Sequence, residues 1–239
     1  MLYVDIEKRL DRFTLKAKLE YSGEPSALFG ASGAGKSLTL KCIAGIVKPD
    51  KGVIRLNDRV LFDSDKNINL PPQKRNVGYL FQDYALFPNM NVRENIMTGL
   101  KRCKRPQRDE KARELVDSFR LGGLEKARIS TLSGGEKQRV ALARIFASSP
   151  EVLLLDEPFS SLDTSLKLEL IPYIGGIIES FHGEVVLVSH SIDEVVRLCK
   201  KVTPISSGIT EETVDTKDFY TQFKVKYEKA GVILPEYKI

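Results

Sequence analysis

An α/β fold built on a parallel-sheet core is what this sequence predicts, on three observations. A short apolar segment, "SALF" (26–29), runs through the glycine-rich "GASGAGKS" (30–37) into a helical pattern, "SLTLKCIAGI" (37–46). Two apolar runs, "EVLLLDEP" (151–158) and "EVVLVSH" (184–190), lack internal polar alternation, as strands covered on both faces do. The N-terminal segments "MLYVDIEK" and "FTLKAKLEY" alternate apolar and polar residues, as half-exposed antiparallel strands do.

The chain has 239 residues, so one domain with a subdomain and two small domains both fit. A hydrophobic content of 42% supports a buried core. The net charge of +5 suits acidic ligands such as nucleotides or anionic lipid surfaces without requiring nucleic acid. Cys42, Cys103 and Cys199 are far apart and lack metal-ligand spacing, which predicts reduced thiols in a cytosolic protein. The first ten residues carry no apolar signal segment. The longest nearly apolar stretch, "LIPYIGGII" (170–178), falls short of the ~20 residues that span a bilayer. A soluble chain that docks on a membrane partner remains compatible with this.

Gly30, Ala31, Ser32, Gly33, Ala34, Gly35, Lys36 and Ser37 satisfy G-x-x-x-x-G-K-[ST] at every fixed position. The strand before and the helix after are the context a P-loop needs. Glycines let backbone N–H groups face phosphate oxygens, and the helix N-terminus adds partial positive charge. Lys36 is expected to reach the β- and γ-phosphates, Ser37 to ligate Mg²⁺, and Leu38 to continue the contact set at the helix start. The run 152–155 ends at Asp156, where the carboxyl end of a parallel strand meets a ligand crevice, so Asp156 is the expected Mg²⁺ carboxylate. Glu157 follows as the candidate general base for an attacking water. His190, one of two histidines, ends the second apolar run and is expected to contact the γ-phosphate and help position that water.

A second phosphate-binding pattern lies a hundred residues on, at "LSGGEKQRV" (132–140). By itself it also reads as a capped helix N-terminus. In order, the chain shows "GASGAGKS", "LFQDY", "LSGGEKQRV", "LLLDEP", "SSLD" and "VSH". This series resembles the nucleotide-binding subunit of ATP-binding cassette (ABC) transporters over about residues 23–208. The resemblance implies a P-loop NTPase (RecA-like) core with an antiparallel β subdomain and an inserted α-helical subdomain. It implies a single domain, with 1–82 and 148–239 as core and 83–147 as the helical part. It also implies that two copies pack head to tail, with ATP between the P-loop of one and the "LSGG" of the other. Ser133, Gly134 and Gly135 would then act on the opposite nucleotide. Gln82 resembles the glutamine that contacts Mg²⁺ and the water. Ser160-Ser161-Leu162-Asp163 resembles the loop that crosses the dimer interface, with Asp163 at the nucleotide side; a polar turn after Pro158 is the other reading.

Between the motifs, "KGVIRLNDRVLFDS" reads as a hairpin turning at Asn57-Asp58. Ala112, Leu115, Val116 and Phe119 form an amphipathic helix stripe that Gly122-Gly123 would end. The basic run Lys101, Arg102, Lys104, Arg105, Arg108 has no interleaved aromatics, which favours a solvated face over nucleic-acid contact. Tyr84, Leu86 and Phe87 read equally as contacts to a membrane permease, by resemblance, or as subdomain core. The subfamily likeness, in "GYLFQDYALFP" and "LSGGEKQRVALAR", is to importer ATPases for oxyanions such as molybdate, tungstate or sulfate. Many of those carry a C-terminal regulatory β-domain, which the segment after Gly208 is too short to form. The likeness implies ATP and Mg²⁺ as cofactors and a site on the cytoplasmic face of the membrane. Its partners would be permease subunits, a second copy and, indirectly, a solute-binding protein, with no nucleic acid. A non-transport ABC ATPase and an importer ATPase for another small solute are the alternatives. Two departures stand out: Ser191 follows His190 where the family usually has Asp, and no residue is plainly the adenine-stacking aromatic. Phe13 is the first candidate for that role and Tyr3 the second.

Overall fold

The computed structural model describes residues 1–11, 13–100, 103–160, 162–228, 235 and 237. Ser161, Lys101 and Arg102, named above, lie outside the described residues. In chain order the strands are β1 (Leu2–Arg9), β2 (Thr14–Tyr21), β3 (Ser26–Phe29), β4 (Lys51–Leu56), β5 (Arg59–Asp63), β6 (Ile68–Asn69), β7 (Val77–Leu80), β8 (Val152–Asp156), β9 (Glu184–Ser189), β10 (Lys201–Ser206), β11 (Ile209–Thr210) and β12 (Val214–Asp215). The helices are α1 (Lys36–Ala44), α2 (Pro72–Arg75), α3 (Val92–Gly99), α4 (Arg105–Ser118), α5 (Gly134–Ala147), α6 (Thr164–Ser180), α7 (Ile192–Leu198) and α8 (Thr216–Glu228). Two compact units emerge, one of Met1–Arg75 with Ile171–Ile239, the other of Asn76–Leu170.

In the first unit, β1 pairs antiparallel with β2 and β4, and β4 turns into β5 at Asn57 and Asp58. Asn57 adopts φ 51°, the left-handed geometry that a two-residue hairpin turn demands. The apolar face of β2 is buried and its polar face exposed, as its alternation predicts. β3 lies between β10 and β9, parallel to both. Its register sets Phe29 opposite Ser189, so the loop after β3 and the residue after β9 leave the sheet side by side.

One buried cation ties this unit together. Arg75 is fully buried, and its guanidinium donates to the carbonyls of Cys42 and Ile43 at 2.8 Å each. It also donates to Leu70 O at 2.8 Å and Asn69 Oδ1 at 2.9 Å. These carbonyls include the last ones of α1, where the helix dipole is negative. Gly45 ends α1 at φ 79°, and a Cβ there would fall 2.5 Å from Arg75 Nε. Burial pushes the arginine's pKa down to about 10, which still leaves it charged at neutral pH.

In the second unit β7 and β8 run parallel, Leu80 opposite Leu155, among α3, α4 and α5. Ala112, Val116 and Phe119 are buried, as their spacing predicts. The helix stop is a correction: α4 ends at Ser118, before Gly122-Gly123. Arg120 takes the left-handed position at φ 51°, and the Leu121 N–H reaches Val116 O at 2.8 Å. Leu121 is fully buried, and its packing holds a non-glycine residue in the capping conformation. The stretch 170–178 forms part of α6, with Pro172 inside it. Among the described residues, no helix is long and apolar enough to cross a membrane.

Candidate functional site

In the first unit the loop 30–35 is shaped by close backbone approach. A Cβ on Gly30 would lie 2.2 Å from Ile205 O, and one on Gly35 would lie 2.9 Å from Leu15 Cδ1. Gly33 and Gly35 sit at φ 79° and 108°, where side chains are strained. Gly35 is the N-cap of α1 with no side-chain cap bond, and a helix N-terminus carries the partial positive charge that attracts an anion. Lys36 is buried, and its ammonium donates to Gly30 O at 2.9 Å and Ala31 O at 3.0 Å. The lysine thus lies along the loop it would serve. Ala31, Ser32 and Gly33 are exposed, Ala34 is buried, and Ser37 and Leu38 are half-buried at the helix start.

His190 is exposed, one residue past the end of β9 and beside this loop through the β3–β9 register. The turn that carries it is pinned from below. Ser189 Oγ donates to Glu194 Oε2 at 2.6 Å and accepts the Ser191 N–H at 2.9 Å, with Ser189 and Glu194 both buried. Ser191 is the N-cap of α7, without a side-chain cap bond. The Phe13 ring packs on Gly208, where a Cβ would fall 2.5 Å from Phe13 Cδ2. The Gly208 N–H in turn donates to Ala34 O at 3.0 Å, so Phe13 stands beside the phosphate loop. Tyr3 is the second residue of β1, its ring 5.1 Å beneath the Arg55 guanidinium.

In the second unit β8 delivers Asp156, which is buried and accepts a hydrogen bond from the Tyr79 hydroxyl at 2.7 Å. Burial, and then the Asp156 charge, push the Tyr79 pKa upward, which keeps its hydroxyl a donor. Glu157 has φ 46° although it is not glycine and precedes Pro158, a backbone conformation that surrounding structure must hold. Ser160 supplies part of the hold: its N–H and Oγ both donate to Glu157 O, at 3.1 and 3.0 Å. Gln82 Nε2 donates to the same Ser160 Oγ at 3.1 Å. The expected base and the expected glutamine are therefore joined through one serine.

Ser133 is the exposed N-cap of α5 in a full capping box. Its Oγ accepts the Glu136 N–H at 3.3 Å, and Glu136 Oε2 accepts the Ser133 N–H at 2.7 Å. These bonds hold the Glu136 carboxyl below its ordinary pKa. Capping uses the serine oxygen as an acceptor and leaves the hydroxyl proton available, so the cap and a phosphate contact are compatible. A Cβ on Gly134 would crowd Leu162 at 3.1 Å, and one on Gly135 would crowd Leu166 at 3.1 Å and Leu170 at 3.2 Å. Asp163 caps α6, its Oδ1 accepting from Ser165 Oγ at 2.6 Å and Leu166 N at 3.0 Å. Tyr84 is buried, Leu86 half-buried and Phe87 43% exposed, so of those three Phe87 is the one presented outward.

No group of three or more His, Cys, Asp or Glu suited to a metal occurs among the described residues. Mg²⁺ binds through one or two protein oxygens together with phosphate and water, and Ser37 in the first unit and Asp156 in the second each carry an oxygen donor of that kind. Tyr79, Ser189 and Glu194 were not singled out by the motifs. Tyr79 carried a signal, since a tyrosine inside an apolar strand needs a partner for its hydroxyl.

A family model described as "ABC transporter" matches residues 15–160. The chain is 42% identical over 233 residues to the molybdenum import ATP-binding protein ModC of Brucella melitensis biotype 1, covering 98% of this chain and 65% of that protein. It is also 42% identical over 212 residues to the ModC of Mannheimia succiniciproducens, covering 87% and 58%. The chain thus spans less than two thirds of the length of these curated relatives. Among solved structures, a dimeric ATP-binding cassette in a post-hydrolysis state bound to ADP and Pi superposes with a TM-score of 0.75 at 25% identity, covering 90% of this chain and 99% of that one.

Proposed function

This chain belongs to the ABC transporter family, and from that membership we propose that it binds and hydrolyses ATP to energise an importer for an oxyanion of the molybdate type. The observation that carries the reading is the 42% identity, over 98% of the chain, to a protein named for molybdenum import. It is joined to an uncapped, lysine-bearing phosphate loop with the glycine geometry a nucleotide needs.

The proposed roles follow the chemistry of each group. N–H groups of the loop from Gly30 to Ser37, with Leu38, cradle the phosphates. Lys36 exchanges the carbonyls of Gly30 and Ala31 for phosphate oxygens. Ser37, Asp156 and Gln82 hold Mg²⁺, which supplies charge neutralisation on the phosphates. Glu157 takes the proton of the attacking water, and His190 and Gln82 orient that water. Phe13 stacks on the base. Ser133, Gly134, Gly135 and Asp163 serve the nucleotide held by a second copy, which makes ATP the joint between two cassettes. Residues 1–82 with 148–239 act as the core, and 83–147 as the helical part. The pair works at the cytoplasmic face of the membrane on permease subunits, which receive solute from a binding protein.

The purified chain is expected to hydrolyse Mg·ATP. Expressed in a bacterium whose molybdate importer lacks its ATP-binding subunit, it restores uptake of labelled molybdate. Hydrolysis without molybdate uptake, but with uptake of another solute, overturns the oxyanion assignment. Absence of hydrolysis overturns the ATPase reading.

A further inference from the structure

The loop after Gln82 is held in an unfavourable shape by a residue outside it. Tyr84 and Ala85 have φ 62° and 44°, two consecutive non-glycine residues in the left-handed region. Such a pair is strained and persists only where its surroundings over-determine it. The Ala85 N–H donates to Asp83 Oδ1 at 3.2 Å, and both carbonyls of the pair are held by one guanidinium. Arg144, on α5, donates through Nη1 to Ala85 O at 2.7 Å and through Nη2 to Tyr84 O at 2.9 Å. The same group lies 5.5 Å over the Phe87 ring. A planar fork matches two adjacent carbonyls as an ammonium does not.

The far end of the loop is fixed separately. Asn95 is fully buried, and its carboxamide accepts the Phe87 N–H at 2.9 Å and donates to Phe87 O at 3.1 Å and Asn91 O at 3.0 Å. The near end is a turn closed by the Tyr84 N–H on Phe81 O at 2.9 Å. Gln82 lies inside that turn, with its amide on Ser160 Oγ. Ser160 Oγ in turn donates to the carbonyl of Glu157. A continuous set of bonds therefore runs from Arg144 through the strained pair to the two groups that would handle water.

We propose that Arg144 is a positioning residue for hydrolysis: by pinning the left-handed backbone of Tyr84 and Ala85 it sets where Gln82 stands relative to Ser160 and Glu157. The inference rests on the ATPase reading above. Arg144 acts through the backbone it holds, its guanidinium being engaged by the Tyr84 and Ala85 carbonyls and the Phe87 ring. Its loss relaxes the pair toward ordinary φ values and swings Gln82 away.

The test uses the whole chain. Arg144→Met is expected to lower kcat for Mg·ATP on the order of 10- to 100-fold, the scale of a small misplacement of reacting groups, with the KM for ATP little changed. Arg144→Lys, which keeps the charge and loses the fork, shows the same fall and guards against a folding failure of the Met variant. Glycine adopts positive φ without strain, so Ala85→Gly alone leaves kcat near wild type and, added to Arg144→Met or Arg144→Lys, restores most of it. A purely structural role for Arg144 would not be rescued by a glycine in the loop. Unchanged kcat in both Arg144 variants, or a fall that Ala85→Gly leaves untouched, overturns the proposal. A wild-type protein without ATP hydrolysis instead overturns the ATPase reading, so the two failures are distinct.

Discussion

Glu157→Gln is expected to cut ATP turnover by about 10²–10⁴-fold, the usual contribution of a positioned general base, while leaving Mg·ATP binding intact. The amide matches the carboxylate in shape and can keep the φ of 46° that Glu157 adopts. It cannot take a proton from water. The variant therefore traps the nucleotide-bound state, and light scattering reads the consequence. The mass is expected to double on addition of Mg·ATP and to stay at one copy without it, because Ser133 and Gly135 are proposed to serve the nucleotide of another chain. Turnover at the wild-type rate in this variant removes Glu157 as the base. A mass that never doubles, with ATP bound, reduces the "LSGG" stretch to the helix cap that its capping box already forms.

Arg75→Met is expected to destabilise the protein by about 3 kcal/mol or more, a large fraction of the ~5–15 kcal/mol of a typical domain. Methionine fills much of the volume but supplies no donors. The carbonyls of Cys42, Ile43 and Leu70 and the Asn69 side chain each lose a charge-assisted bond. An unsatisfied buried polar group costs about 1–3 kcal/mol, and partial relaxation keeps the sum below the simple total. Urea unfolding should show a lower midpoint at an unchanged slope. Equal midpoints for variant and wild type would mean that water replaces the guanidinium at no loss. Because α1 carries the phosphate loop at its other end, ATP affinity is expected to fall along with stability.

Much of the local structure that carries the candidate site was legible because its signals are short. The loop 30–37 encodes its geometry in glycines a few residues apart, and β8 and β9 declare themselves by unbroken apolar runs. The hairpin at Asn57-Asp58 follows from the φ tolerance of its turn residues. The expected stop of α4 at Gly122-Gly123 failed for the opposite reason. Glycine is the residue that reaches left-handed φ at least cost, but burial of Leu121 placed Arg120 there instead. Hydrogen bonds from Arg144 and Ser160 likewise hold Tyr84, Ala85 and Glu157 in conformations their side chains disfavour.

The motifs by themselves determined the fold class, the family and the residue types available for phosphate, metal and water. Only the tertiary structure decided which partners hold them. Tyr79 reaches Asp156 across 77 residues of sequence, Arg75 reaches Cys42 across 33, and Arg144 reaches Tyr84 across 60. Periodicity and turn chemistry act over a few neighbours and can be read along the chain. A buried polar group finds its partner only after distant segments have packed, and the cost of leaving it unpaired then fixes the choice.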